Sequence, residues 1–75
     1  MTPEEQLRTI VAKVLEIDVA SITEETGRNN PSVWDSFNHL FLISEIESTM
    51  GVTFTTEEVN AIKNFGDLHR KLLLN

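Results

Sequence analysis

The chain has no cysteine among its 75 residues. It therefore has no disulfide, no thiolate metal site and no cysteine nucleophile of its own, which fits a reducing compartment. Basic residues are scarce too: six Lys and Arg stand against twelve Asp and Glu, for a net charge of −6. Nucleic acid is a poor partner for such a surface, because neutralising phosphates takes clustered cations. A basic protein surface suits it better, since opposite potentials speed encounter. The acidity also serves simply to keep a small domain in solution. The longest apolar run, Leu40 to Ile43, is far too short to span a bilayer. The N-terminus, Met-Thr-Pro-Glu-Glu, has neither the basic region nor the apolar core of a secretion signal. The sequence thus predicts a cytoplasmic protein with no membrane span, a monomer of one domain.

Apolar residues make up 40% of the chain, enough for a globular fold. A chain this short has little room for a walled active-site cleft. No strand pattern of useful length, repeat or low-complexity tract is present. The expected fold is all-α: a small bundle of three main helices plus one short helix, with a long loop between helices 1 and 2.

Thr2-Pro3-Glu4-Glu5 opens the first helix, expected over Pro3 to Glu16, with an N-cap threonine, a proline at the first helical position and a capping-box glutamate. Leu7, Ile10, Val11, Val14 and Leu15 then recur at helical spacing and form a core stripe. Residues 17 to 34 read as a connection rich in turn-formers, among them Asp18, Ser21, Thr23, Thr26, Gly27, Asn29, Asn30 and Pro31. Val19 and Ile22 are expected to pin it to the core. Loops of this length in small domains usually either function or span distant helix ends.

The second helix is expected from Ser36 to Met50, capped by Asp35 and stopped by Gly51. On a helical wheel Leu40, Ile43, Ile46 and Met50 form the core side, with Leu42 at its edge. Phe37 and Phe41 fall roughly opposite, in line with Ser44 and Ser48. Either these rings are covered by the loop, or they form an exposed apolar ridge that docks partners. Thr55-Thr56-Glu57-Glu58 is a second capping box, opening a short helix through Val59 and Ile62. Phe54 before it is an expected buried anchor. Asn64 caps the last helix, whose inner stripe is Phe65, Leu68 and Leu72.

Ser36 lies where the polar loop meets the apolar helix. Amides at a helix start have no intrahelical partner, and the helix dipole adds positive character. An anionic group attached to that hydroxyl is well tolerated there. A hydrolytic reading of Asp35, Ser36 and His39 lacks a cleft, an oxyanion hole and a nucleophile elbow. No catalytic residue and no metal site is assigned: His39 and His69 lie on different helices, and they read, with Glu45 and Glu47, as solvated surface. Trp34 reads as a buried plug closing the loop onto the helix.

Taken together, the Asp35-Ser36-Phe37 motif at the start of the second long helix, the acidity, the long loop, the Gly51-Val52-Thr53-Phe54 exit and the capped short helix resemble the acyl carrier proteins. The likeness covers essentially the whole chain. It implies that Ser36 carries a covalent 4′-phosphopantetheine arm, placed there by a phosphopantetheinyl transferase. The arm's thiol would hold acyl cargo as a thioester and present it to acyl-loading and acyl-transferring enzymes, in fatty-acid, polyketide or related specialised biosynthesis. The resemblance assigns partner recognition to Asp35, Phe37, Phe41, Ser44, Glu45 and Ser48, and implies that core residues of helices 1, 2 and 4 enclose a cleft for an acyl chain. Asn38 stands where the fatty-acid type often has an acid, and Phe41 where it often has a glutamate. These departures point to a specialised standalone carrier. The competing readings are an aminoacyl or peptidyl carrier, and a small helical interaction domain with no prosthetic group.

Overall fold

Thr2 sets the first helix. Its hydroxyl accepts the Glu5 amide and its own amide donates to the Glu5 carboxylate, each over 3.1 Å. The Thr2 amide, and after it the hydroxyl, hold the Glu5 carboxyl below its usual range. The computed structural model describes residues 2–27 and 33–73. Within them α1 (Pro3–Leu15), a 3-10 turn (Val19–Ser21), α2 (Ser36–Met50), α3 (Thr56–Ala61) and α4 (Phe65–Leu73) follow in order. No strand occurs among the described residues, so the all-α fold of three main helices and one short one is as expected.

The boundaries follow local chemistry. α1 stops one residue before the expected Glu16, which turns left-handed at φ 56°. The Ile17 amide then returns to the Ala12 carbonyl at 3.0 Å. α2 has the expected limits: the Asp35 side chain caps its start, and Gly51 at φ +68° ends it. The Thr55 box opens α3 as expected, but the helix ends at Ala61 and Ile62 caps it in extended backbone.

α1 packs chiefly against α2 and also against α4. Leu7, Val11 and Leu15 meet Leu42, Ile46, Phe65 and Leu68 in a core from which water is excluded. Trp34 is fully buried, the plug its position suggested. Six expectations need correction. Leu40, placed in the core by the wheel, is 62% exposed. His39, read as surface, is buried, and Glu45, Glu47 and His69, read the same way, are half-buried. Val19 is exposed, leaving Ile22 to pin the connection. The cause at α2 is that apolar residues lie on nearly every side, so its packed arc is chosen by its neighbours: α1 covers the Leu42–Ile46 side.

The described part of the connection is tied down on both sides. The Asp18 carboxylate caps the 3-10 turn through the Ala20 amide at 2.9 Å. Arg8 reaches across from α1 to the Ile22 carbonyl at 2.7 Å and lies over the Phe65 ring. Thr26 and Glu24 carbonyls accept the Phe65 and Gly66 amides at the start of α4. Gly27 crosses Asn64 there so closely that a Cβ would lie 2.2 Å from the Lys63 carbonyl oxygen. Asn29, Asn30 and Pro31, read as turn-formers, lie outside the described residues.

Candidate functional site

The segment Val33–Phe41 joins a fixed interior to an exposed tip. Trp34 anchors it from below: its indole Nε1–H donates to His39 Nδ1 over 3.0 Å. His39 Nε2 faces the Val59 carbonyl oxygen of α3 at 2.8 Å. A nitrogen that accepts from Trp34 carries no proton, so the ring is the Nε2–H tautomer, donating to Val59. One residue past the anchor, Asp35 turns outward. Its Oδ1 accepts the Asn38 amide at 2.9 Å and its carbonyl accepts the His39 amide at 2.8 Å. Asn38 in turn donates to the Val33 carbonyl at 2.7 Å, which closes the loop onto the helix.

Ser36 follows as the first helical residue and is exposed. With the Asn38 and His39 amides both taken by Asp35, the Ser36 and Phe37 amides are the ones left outside the intrahelical ladder. The hydroxyl therefore stands at the positive end of a 15-residue helix whose first turn is held from within. Attachment of a phosphodiester there meets no buried wall, and free amides lie beside it.

Of the other expected site residues, Phe37 and Phe41 are 70% and 50% exposed, so these two rings stand uncovered on the surface of α2. Ser44 and Ser48 continue outward along the same side. Glu45 departs from them: it is half-buried and turns into the groove between α1 and α2, beside Lys13 and Glu16. Asp35, Ser36 and His39 are not assembled as a relay, since both ring nitrogens of His39 are engaged by Trp34 and Val59. Glu47 spends its carboxylate on the Phe54 amide at 2.8 Å.

Sequence reasoning missed two members of this region. Leu40 joins Phe37 and Phe41, and the three line one shallow hollow. His39 supports the tip from inside. The signal for His39 was available: a buried tryptophan requires an acceptor for its indole N–H, and a histidine stands five residues on. His69 also has company, lying 3.4 Å from both Glu4 and Glu24. Among the described residues, no group of three or more His, Asp or Glu is placed to hold a metal ion, and no helix is long and apolar enough to cross a membrane. No protein-family model matches the chain, and no curated protein matches it in sequence.

Proposed function

We propose that this chain is an acyl carrier protein, with Ser36 bearing a covalent 4′-phosphopantetheine arm whose thiol holds acyl intermediates as thioesters. The observation that carries the reading is an exposed serine hydroxyl at the first position of α2, one residue beyond a cap and two beyond a fully buried tryptophan. The Asp-Ser-apolar motif and the order of elements around it support the same conclusion. So does the lack of a cysteine: the arm supplies the one thiol the function needs.

In this reading the chain itself does no chemistry. A phosphopantetheinyl transferase joins Ser36 Oγ to the phosphopantetheine phosphorus of coenzyme A. The pyrophosphate P–O bond breaks, the nucleotide half leaves with that oxygen as its own phosphate, and the Oγ proton passes to a base. Asp35 holds the first turn in shape for that enzyme. Phe37 and Phe41, with Ser44 and Ser48, form the face that this and later enzymes meet. Glu45 borders that face from the groove between α1 and α2. The net charge of −6 draws basic partners from a distance. The carrier acts in the cytoplasm as a monomer, in fatty-acid, polyketide or related specialised biosynthesis.

The exposed patch equally favours an interaction domain without a prosthetic group, but that reading assigns nothing to Ser36. Mass spectrometry after incubation with coenzyme A and a transferase separates the two. The wild type gains one arm and Ser36→Ala gains none. No gain by the wild type, or a gain that survives the substitution, overturns the carrier reading.

A further inference from the structure

The two long sides of α2 offer a tethered group very different surroundings. Toward α3 the seam is closed by polar stitches. His39 bonds Val59, Trp34 bonds His39, and the Glu47 carboxylate takes the Phe54 amide. Parting that seam to admit a chain breaks the buried Trp34–His39 bond and two part-buried ones, which is costly in an interior that leaves no described buried side-chain nitrogen or oxygen unpaired. Toward solvent, Phe37, Leu40 and Phe41 stand 70%, 62% and 50% exposed, and they alone line the hollow between them. Phe37 adjoins Ser36, Leu40 lies one turn on, and Phe41 is within about 8 Å of Ser36 along the axis at ~1.5 Å per residue. On its other side Phe41 also borders the groove toward α1, where Lys13, Glu16 and Glu45 bring charge.

We propose that cargo tethered at Ser36 lies outside the bundle, over Phe37, Leu40 and Phe41, and that the cargo class is a short, uncharged acyl group. The proposal rests on the reading of Ser36 as the tether point. A covalent tether raises the local concentration of its far end to about the millimolar range, so a contact too weak to hold a free ligand is populated. The hollow's wall bears no charge, which favours apolar atoms and gives a charged acyl group no partner for its desolvation. Three side chains cover only a few methylenes, and a long chain extending past them stays in water. An enzyme reaching the thioester must land on the same patch, so its arrival displaces the cargo from its resting place.

The test uses the holo-protein with methyl-labelled leucine and isoleucine, its arm carrying in turn nothing, an acetyl, a butyryl and a decanoyl group. Loading with butyryl shifts the Leu40 methyl signals, and Phe41→Ser removes most of that shift. The Trp34 indole N–H and the Leu42 and Ile46 methyls keep their positions through the series. Trp34 and Ile46 signals that move further with each longer chain, while Leu40 stays still, place the cargo inside and overturn the proposal. Leu40 shifts that appear only when a partner enzyme is added overturn it as well, and give the patch to that enzyme. A protein that takes up no arm fails earlier, at the mass measurement made before loading, and that result removes the reading of Ser36 itself.

Discussion

Trp34 and His39 are joined in the interior, with the indole N–H on His39 Nδ1 at 3.0 Å and the two rings stacked 6.2 Å apart at 26°. The bond spans the junction between loop and helix, and His39 carries it on to α3 through Val59. The exposed serine two residues after Trp34 is therefore mounted on a fixed base. Where α2 begins and where α3 lies against it are set by the same three groups.

Replacing His39 with leucine leaves the Trp34 N–H buried and unpaired, at a cost of about 1–3 kcal/mol, and takes the donor from the part-buried Val59 carbonyl. A domain of this size holds only ~3–5 kcal/mol in all, so His39→Leu brings it to the edge of unfolding. His39→Gln retains a donor and an acceptor and loses less. Urea unfolding followed by the fluorescence of Trp34, the sole tryptophan, measures both. A His39→Leu protein as stable as the wild type would show that the stitch contributes nothing.

The faces of α2 differ sharply in their tolerance. Phe41 is half exposed, so Phe41→Glu alters stability by no more than about 0.5 kcal/mol. The next residue, Leu42, is fully buried, and Leu42→Ala costs about 2–5 kcal/mol. Thermal unfolding of the two variants side by side checks the assignment. A large loss for Phe41→Glu would move that ring into the core and take the exposed patch away.

Two glycines serve for different reasons and respond differently to alanine. At Gly27 a new Cβ lies 2.2 Å from the Lys63 carbonyl oxygen and 2.8 Å from Asn64 Cβ, so the junction between the loop and α4 has to move. That overpacking costs about 1–3 kcal/mol. At Gly51 nothing lies within 4 Å, and the penalty is the left-handed backbone alone, about 1–2 kcal/mol. Gly51→Asn recovers part of it, since asparagine visits that region, whereas Gly27→Asn is no better than Gly27→Ala. Melting temperatures of the four variants decide the matter.

Much of this fold was legible because its boundaries are written in side chains that act locally. Thr2, Asp35, Thr55 and Asn64 each cap the helix that follows them, and Gly51 ends α2. The outward hydroxyl of Ser36 follows from the same local chemistry. The phase of α2 was not legible. With Phe37, Leu40, Phe41, Leu42, Ile43, Ile46 and Met50 spread around the helix, no single face is marked as the inner one, and the choice belongs to neighbours distant in sequence. Leu40 was lost to the core for that reason. His39 was misplaced because its burial depends on two hydrogen bonds, one of them to a carbonyl twenty residues away.

Acid weakens this fold through Asp67, and the sign follows from its surroundings. Partial burial favours its neutral form, but the Lys63 amide and then the Arg70 guanidinium outweigh that and hold the carboxyl below its ordinary value of 3.8. The unfolded chain binds this proton more readily than the folded one. The contribution is thus complete above 3.8 and drains away as pH falls through the lower folded value. Glu5 acts in the same sense, from an ordinary value of 4.5. Asp67→Asn is expected to lose less stability than the wild type between about pH 5 and pH 3, as read from urea midpoints. Arg70 is 60% exposed, so salt at about 1 M shrinks the difference, while the hydrogen bond from the Lys63 amide, which is not an ion pair, preserves part of it. Equal acid slopes in the two proteins would show that Asp67 carries none of the effect.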